Sequence, residues 1–553
     1  MQVLVLILAL LQAGSGAQPG PPQQPPSADA SPLAAQHYQQ GMQAIQKGQL
    51  AAAVREFRLA VQYAPKSPAA HNSLGWAFLE TGEVDRAVIE FRKAIALGPQ
   101  FTEAYFNMAR ALERRKDLDG AIQFYQFVLR QRPDWADAHV ALGKLLGHRG
   151  NVLGARQEFE AAVSLQPRSA LAHFQLGVAL WLLGELAPAA SHLRTALDLN
   201  PDSADAHYYL ALIHQKQGRF EEAVSEFEAA AKLNPASAEI HNQLGLTFHR
   251  EGYLADAARE FQRVTQLDPA NAEARNNLGL VFLAQGDGDG ALREFQAAIR
   301  LNPGHYAARN NLGLVYLQKA QWAEAISTYQ ALLELDPANA EAHYNLGVAY
   351  KQQDDFASAI PALEKAIRLD AHLPEPHYTL GVILWQQGKL DEAAEQFRAA
   401  LRVRPDYEQA MYILGSVLRQ KGDLDGALEQ LRAALRLDPN DAGAHQTLGT
   451  VLRQKGDAAG AAEESQKAAE LNKLKSNVQA ATLATNTGAR LLREGNIAGA
   501  IEQFRAALKL APDHAPAHYQ LGLALREKGD HAQATAEFEK ARQLDPRLRP
   551  PRS

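Results

Sequence analysis

Residues 340–373 read AEAHYNLGVAYKQQDD followed by FASAIPALEKAIRLDAHL, and the chain is built from copies of this stretch. Its Leu346-Gly347 pair recurs, intact or nearly so, every 34 residues. Landmarks stand at Gly41, Gly75, Ala109, Gly143, Gly177, Ala211, Gly245, Gly279, Gly313, Gly347, Gly381, Gly415 and Gly449 without a slip. Gly488 and Gly522 follow after a five-residue insertion, which makes fifteen repeats. A unit this short cannot bury its own apolar face, so stacked neighbours must complete the core.

The register inside each repeat predicts two helices. Apolar residues recur at helical spacing around the landmark. Seven residues on, twelve repeats carry glycine, as at Gly48 and Gly82, which stops the first helix in the left-handed conformation. Twelve residues on stands Ala in all fifteen, and sixteen on a large apolar residue in fourteen (Phe57, Phe91, Tyr125), with Ser465 the exception. Small Ala lets two helix backbones approach, and the large residue fills the gap beside it. Twenty-four on stands Pro in thirteen, a stop for the second helix; Ala371 and Lys473 are the departures. Ser67, Ser169, Ser203, Ser237, Asn271, Asn339 and Asp441 are placed to cap the next first helix.

The Leu-Gly, Ala, Phe or Tyr and Pro positions resemble the tetratricopeptide repeat family over residues 34–548. The resemblance implies an all-α fold, a right-handed superhelical solenoid of antiparallel helix pairs, with first helices lining a concave face. The organisation expected is a signal peptide at 1–17, a disordered Pro/Gln-rich linker at 18–33 and thirteen repeats at 34–475. An insertion at 476–480, two repeats at 481–548 and a tail at 549–553 follow. Without its Pro, the second helix before Lys473 is expected to run on, with a kink near Lys473 to Gln479. Ala371, followed by Pro374 and Pro376, predicts a rearranged turn. No polar capping helix follows the last repeat, which leaves an open end for a partner or for self-association.

Net charge is -6, which disfavours a bulk nucleic-acid partner. There are no cysteines, so disulfides, thiol nucleophiles and Cys-ligated metals are excluded. Val3 to Leu11, VLVLILALL, is followed by small residues at Ser15 and Ala17, the pattern of a leader cleaved after Ala17. Its positive n-region is missing, and the run is too short to span a bilayer, which takes about 20 residues. The leader predicts export, periplasmic or secreted; without it the chain is cytoplasmic. No transmembrane span is expected.

No nucleotide loop, nucleophile elbow or H-E-x-x-H motif occurs, so no catalytic residue, metal or cofactor is expected. Ten of 18 histidines stand four residues before a landmark, from His37 to His518. One per repeat, about 10 Å apart, cannot share a metal at bonds of about 2 Å, so they are read as packing residues.

By the family's geometry the groove-facing positions lie three and two residues before the landmark and one, four and five after it. Asn276, Asn277, Asn310, Asn311 and Asn345 occupy them in three consecutive repeats. Asparagine both donates and accepts, so a ladder of it can grip an extended peptide main chain. The arrangement resembles the asparagine ladder of O-linked N-acetylglucosamine transferases, although the glycosyltransferase domain is absent. The same amides can instead bond neighbouring repeats and serve stacking alone. Further on, Lys351, Arg419 and Arg453 (then Arg493 and Arg526) make the groove basic, which suits acidic segments. Trp76, Trp181 and Trp385 are near-groove positions, either anchors for apolar side chains or packing between repeats. The function implied is an exported, non-enzymatic scaffold binding proteins or peptides in its groove. The alternatives are an adaptor or targeting subunit of an enzyme system, such as a glycosyltransferase or secretion machine, and a purely structural array.

Overall fold

The computed structural model describes residues 31–550; the leader, residues 18–30 of the linker and residues 551–553 lie outside it. The described residues form 29 helices and no strand. The first helix, Pro32–Gln46, begins two residues inside the stretch assigned to the linker. Each repeat is an antiparallel helix pair, as in Ala340–Gln352 with Phe356–Leu369. The chain divides after Ala236 into two compact bodies, six repeats in the first and nine in the second. Within each body consecutive first helices touch one another, and second helices pack against the first helices on either side.

The landmark glycine has a steric cause. A Cβ built on Gly75 would lie 2.6 Å from the Phe91 ring, and one on Gly143 2.6 Å from Phe159. The large residue sixteen positions on, in the second helix of the same repeat, seats against the bare backbone. Those aromatic rings are fully buried, each worth about 2–3 kcal/mol of apolar transfer. The Ala twelve residues after the landmark is buried in all fifteen repeats.

Helix ends follow the sequence signals closely. All seven predicted caps accept a backbone N–H, from Ser67 with Ala70 N at 3.3 Å to Asn339 with Ala342 N at 2.7 Å. Twelve stop glycines have positive φ, and the three repeats lacking one hold Lys116, Ala320 and Asp354 there at φ 62, 56 and 59. The turn dictates that conformation whatever the residue. A second set of caps opens the second helices: Asp117, Asn151, Asp287, Asp355, Asp423, Asp457, Asn496 and Asp530. Sequence reasoning missed these, although they stand one residue after the stop position.

The histidines are clamps rather than plain packing. Nδ1 of His71, His139, His207 and His241 meets the carboxylate of Glu90, Glu158, Glu226 and Glu260 at 2.6 Å, always nineteen residues on in the second helix. Nε2 of His71, His139 and His207 also reaches the carbonyl of Pro65, Pro133 and Pro201, in the turn that ends the preceding repeat. One ring thus fastens its first helix to its own second helix and to the repeat before. Arg275 takes this place in its repeat, paired to Glu294 at 2.9 Å.

Of the expectations about irregular turns, the rearranged turn after Ala371 is corrected, and the running-on of the helix before Lys473 is met. After Ala371 the next helix, Pro374–Gln386, starts at the usual distance before its landmark, because a Pro in the first helical turn needs no amide partner. Around Lys473 the chain is one uninterrupted helix, Ala458–Arg493, of 36 residues. Its front half packs by Ala461 and Ser465 on Gly449, and its rear half holds Gly488 against Phe504. The second helix of one repeat and the first helix of the next are thus one continuous helix with no turn between them.

The C-terminal end is also not bare. In the second body, Arg549 pairs with Glu251 at 3.1 Å and lies over the Tyr253 ring, 5.4 Å from its centre. The Arg547 carbonyl rests on Gly252, where an added Cβ would come within 2.1 Å of its oxygen. The tail of the last repeat is therefore docked on a turn in the first repeat of the same body.

Candidate functional site

The groove register selects five positions in the first helix of each repeat. In the first body the register covers Trp76, Phe106, Phe174, Trp181, Tyr208 and Tyr209 beside polar Asn72, Asn107, Arg110, Lys144 and Gln175. Charge on that face is largely spent internally. Arg110 holds Glu80 at 2.9 Å. Burial pushes the Glu113 carboxyl up to about 7, against a hydrogen bond from Tyr125 and nearby guanidinium groups. Burial also lowers the Lys144 ammonium. Lys216 stacks over Trp181 at 5.1 Å.

In the second body the same register mixes asparagines and cations with apolar residues such as Leu280, Leu314, Tyr344 and Trp385. Asn276 is buried at 3 % exposure and accepts from Asn311 Nδ2 at 3.0 Å, between adjacent repeats. Asn72 and Asn107 form the same pair at 3.0 Å in the first body. This arrangement recurs because the position three before one landmark meets the position two before the next. Asn276 and Asn311 are therefore committed to stacking. Asn277, Asn310 and Asn345 are half-buried, and their side chains make no hydrogen bond among the described residues. Lys351 and Arg419 are half-buried and Arg453 is exposed. Arg419 Nε has no partner among the described residues. Arg526 lies over Phe538 at 5.8 Å. Trp385 donates to Gln420 at 2.9 Å across two repeats, so it is tied to the basic stretch rather than to packing alone. Burial raises Tyr378 and Tyr407, whose rings lie 5.2 Å apart, above the ordinary phenol range.

The aromatic cluster of Phe174, Trp181, Tyr208 and Tyr209 was missed, because only the tryptophans were singled out. Applying the groove register to every repeat would have found it. Among the described residues no helix is long and apolar enough to cross a membrane.

A one-layer array of helix pairs with first helices inside defines a class of repeat solenoid whose concave face is its principal surface. The chain belongs to the tetratricopeptide repeat family. The family model described as the cilia and flagella-associated protein 70 C-terminal domain matches residues 97–311 and 302–485. The tetratricopeptide repeat model matches 38–101 and 486–548. No curated protein matches. Similar solved structures include MamA from Desulfovibrio magneticus RS-1, at 25% identity and TM-score 0.30, covering 31% of this chain and 96% of that one. YrrB, described as a tetratricopeptide repeat protein with an unusual peptide-binding site, is 25% identical at TM-score 0.30, covering 36% and 99%. Yeast Tom70 is 16% identical at TM-score 0.35, covering 76% and 96%. At these TM-scores none of the three bears on the site.

Proposed function

We propose that this chain is an exported, non-enzymatic scaffold that binds extended peptide segments of other proteins in the concave face of its second body. The observation that carries it is the division of labour among the asparagines. The Asn276–Asn311 pair fixes the spacing of two repeats, while Asn277, Asn310 and Asn345 present unspent amides at half-buried positions of the same register. An extended peptide offers a matching donor and acceptor at every residue. Lys351, Arg419 and Arg453 continue the surface, and Arg419 keeps an unpartnered Nε. Acidic segments are the favoured class, because guanidinium groups pair with carboxylates in charge-assisted bonds.

Replacing Asn277, Asn310 and Asn345 together by Ala removes three hydrogen bonds of about 1 kcal/mol each, so binding weakens on the order of 100-fold. A peptide array of acidic, neutral and basic sequences, probed with native and variant chains of matched circular dichroism, measures this. Undiminished capture by the variant would sink the groove assignment. Export rests on the leader, and a mature chain whose first residue is Gln18 supports it.

A further inference from the structure

Seven of the ten periodic histidines meet a glutamate nineteen residues on. His377 meets the neutral Gln396 there, at 2.8 Å. Among the described residues only His173 meets another histidine, His192, with Nδ1 3.0 Å from Nδ1. The ring centres are 5.2 Å apart, longer than the nitrogen separation by about two ring radii, so the two nitrogens face each other head on. Nε2 of His173 lies 3.1 Å from the Pro167 carbonyl and carries a proton to bond it. In the neutral ring Nδ1 of His173 is then a bare acceptor, and Nδ1 of His192 donates to it. One proton fills this contact. Two charged rings would set N–H against N–H, with like charges at hydrogen-bond distance. The pair therefore takes up one added proton and resists the second, whereas two free histidines take up both.

The surroundings do not relieve the conflict. Burial first, and then the His173 charge, hold His192 below the usual histidine range, against a weaker pull from Glu160. Glu160, on the preceding second helix, is itself held by Arg156 at 2.7 Å. Ala204–Lys216, on the other side, carries Asp205, whose carboxyl burial raises, and His207, held by Glu226. It also carries Lys216, stacked over Trp181, and His214, lowered by burial and then by Arg219 and Arg194. The repeats on either side of the pair have the opposite chemistry. Their clamps, His139 with Glu158 and His207 with Glu226, join a cation to an anion once the ring is charged.

We propose that His173 and His192 form an acid-triggered hinge in the first body. In acid, Ala170–Leu182 parts from Leu186–Leu199 and from the Pro167 turn, while the repeats on either side stay clamped. The sign follows from proton uptake. Opening frees the pair to bind one more proton, so the closed form is fully favoured above the ordinary histidine pKa of about 6.5 and loses ground below it. The hinge belongs to the first body and does not involve the asparagines of the second.

Hydrogen exchange of the whole chain, read by mass spectrometry and corrected for intrinsic rates, tests this. Amides of Ala170–Leu182 are compared with those of Ala136–His148 at about pH 7.5 and about pH 5.5, one unit either side of the ordinary histidine pKa. The ratio of their opening constants should rise up to about tenfold at the lower pH, the factor for one extra proton. His192→Gln puts in the residue that His377 already faces, and should abolish the change. His192→Glu restores the usual clamp, and should reverse it, with Ala170–Leu182 better protected in acid. A ratio in the native chain that does not move with pH would overturn the proposal. So would the same acid opening in the Gln variant, because the titrating group would then lie elsewhere.

Discussion

At the scale of single residues, the histidine clamp makes part of the stacking depend on pH. The His139 pKa is raised, because its hydrogen bond to Glu158 outweighs the lowering by burial, and the Pro133 carbonyl adds to the rise. His207 is raised in the same way, by Glu226 and Pro201, against burial. Both nitrogens of each ring face acceptors, and only the imidazolium donates from both. A pKa raised on folding adds stability that is complete below the unfolded value of about 6.5. That stability is lost as pH climbs through the folded value. The denaturant midpoint of the native chain should therefore exceed that of His139→Gln/His207→Gln most on the acid side, and the gap should narrow on the alkaline side. A gap constant across the histidine range would refute protonated clamps. The ten histidines were visible as a periodic feature, and their packing role was read correctly in kind. Their partners were legible too, since Glu recurs nineteen residues on, but a pairing across two helices is found only by testing that interval. The glycines show the opposite case. Twelve stops were readable from residue type, whereas Lys116, Ala320 and Asp354 carry no local signal for the positive φ that the turn imposes.

At the scale of helices, the fifteen pairs were legible because period, cap and stop all agree. The two departures at the Pro position separate what such a signal can decide. Ala371 sits in an ordinary turn; its amide donates to no backbone acceptor, and the next helix starts on schedule. Lys473 sits inside the helix Ala458–Arg493. The neighbouring register explains why that helix persists. The position five before the landmark is a fully buried Ala in many repeats, such as Ala274 and Ala342, but here it is Leu483 at 70 % exposure. Two after the landmark, buried Val281 or Val451 elsewhere becomes Arg490, paired to Glu494 in solvent. This helix face is written for exposure, which the missing Pro alone did not disclose. The same substitution should then have opposite signs at the two sites. Ala371→Pro should stabilise by about 0.4–1 kcal/mol by restricting the unfolded chain at a compatible position. Lys473→Pro should cost about 3 kcal/mol or more, since it removes a helix bond and clashes with the preceding turn. Equilibrium denaturation of both variants decides the matter, and equal signs would mean that the long helix is not a stable element.

At the scale of the whole molecule, two features lay beyond a repeat-by-repeat reading. The aromatic contacts of Phe174, Trp181, Tyr208 and Tyr209 in the first body show only when the groove register is read along adjacent repeats at once. The docked tail joins residues 296 positions apart, and no local pattern announces such a pair. The open C-terminal end expected from the missing cap is instead met inside the second body by the turn Glu251-Gly252-Tyr253. Arg549 is held there by an ion pair and a ring, and a backbone carbonyl presses on a glycine. Gly252 allows a controlled test. Its φ is +80, as is that of Gly286 in the next repeat, so Ala at either site pays the same left-handed strain of about 1–2 kcal/mol. Around Gly286 an added Cβ meets nothing within 4 Å, whereas at Gly252 it collides with the Arg547 carbonyl. Gly252→Ala should therefore expel the tail and Gly286→Ala should not. Trypsin cleavage after Arg547, and amide exchange of Arg547 and Leu548, should accelerate in the first variant alone. If both variants lose global stability equally while the tail stays protected in each, the docking does not depend on this turn, and the second body is held together by repeat stacking only.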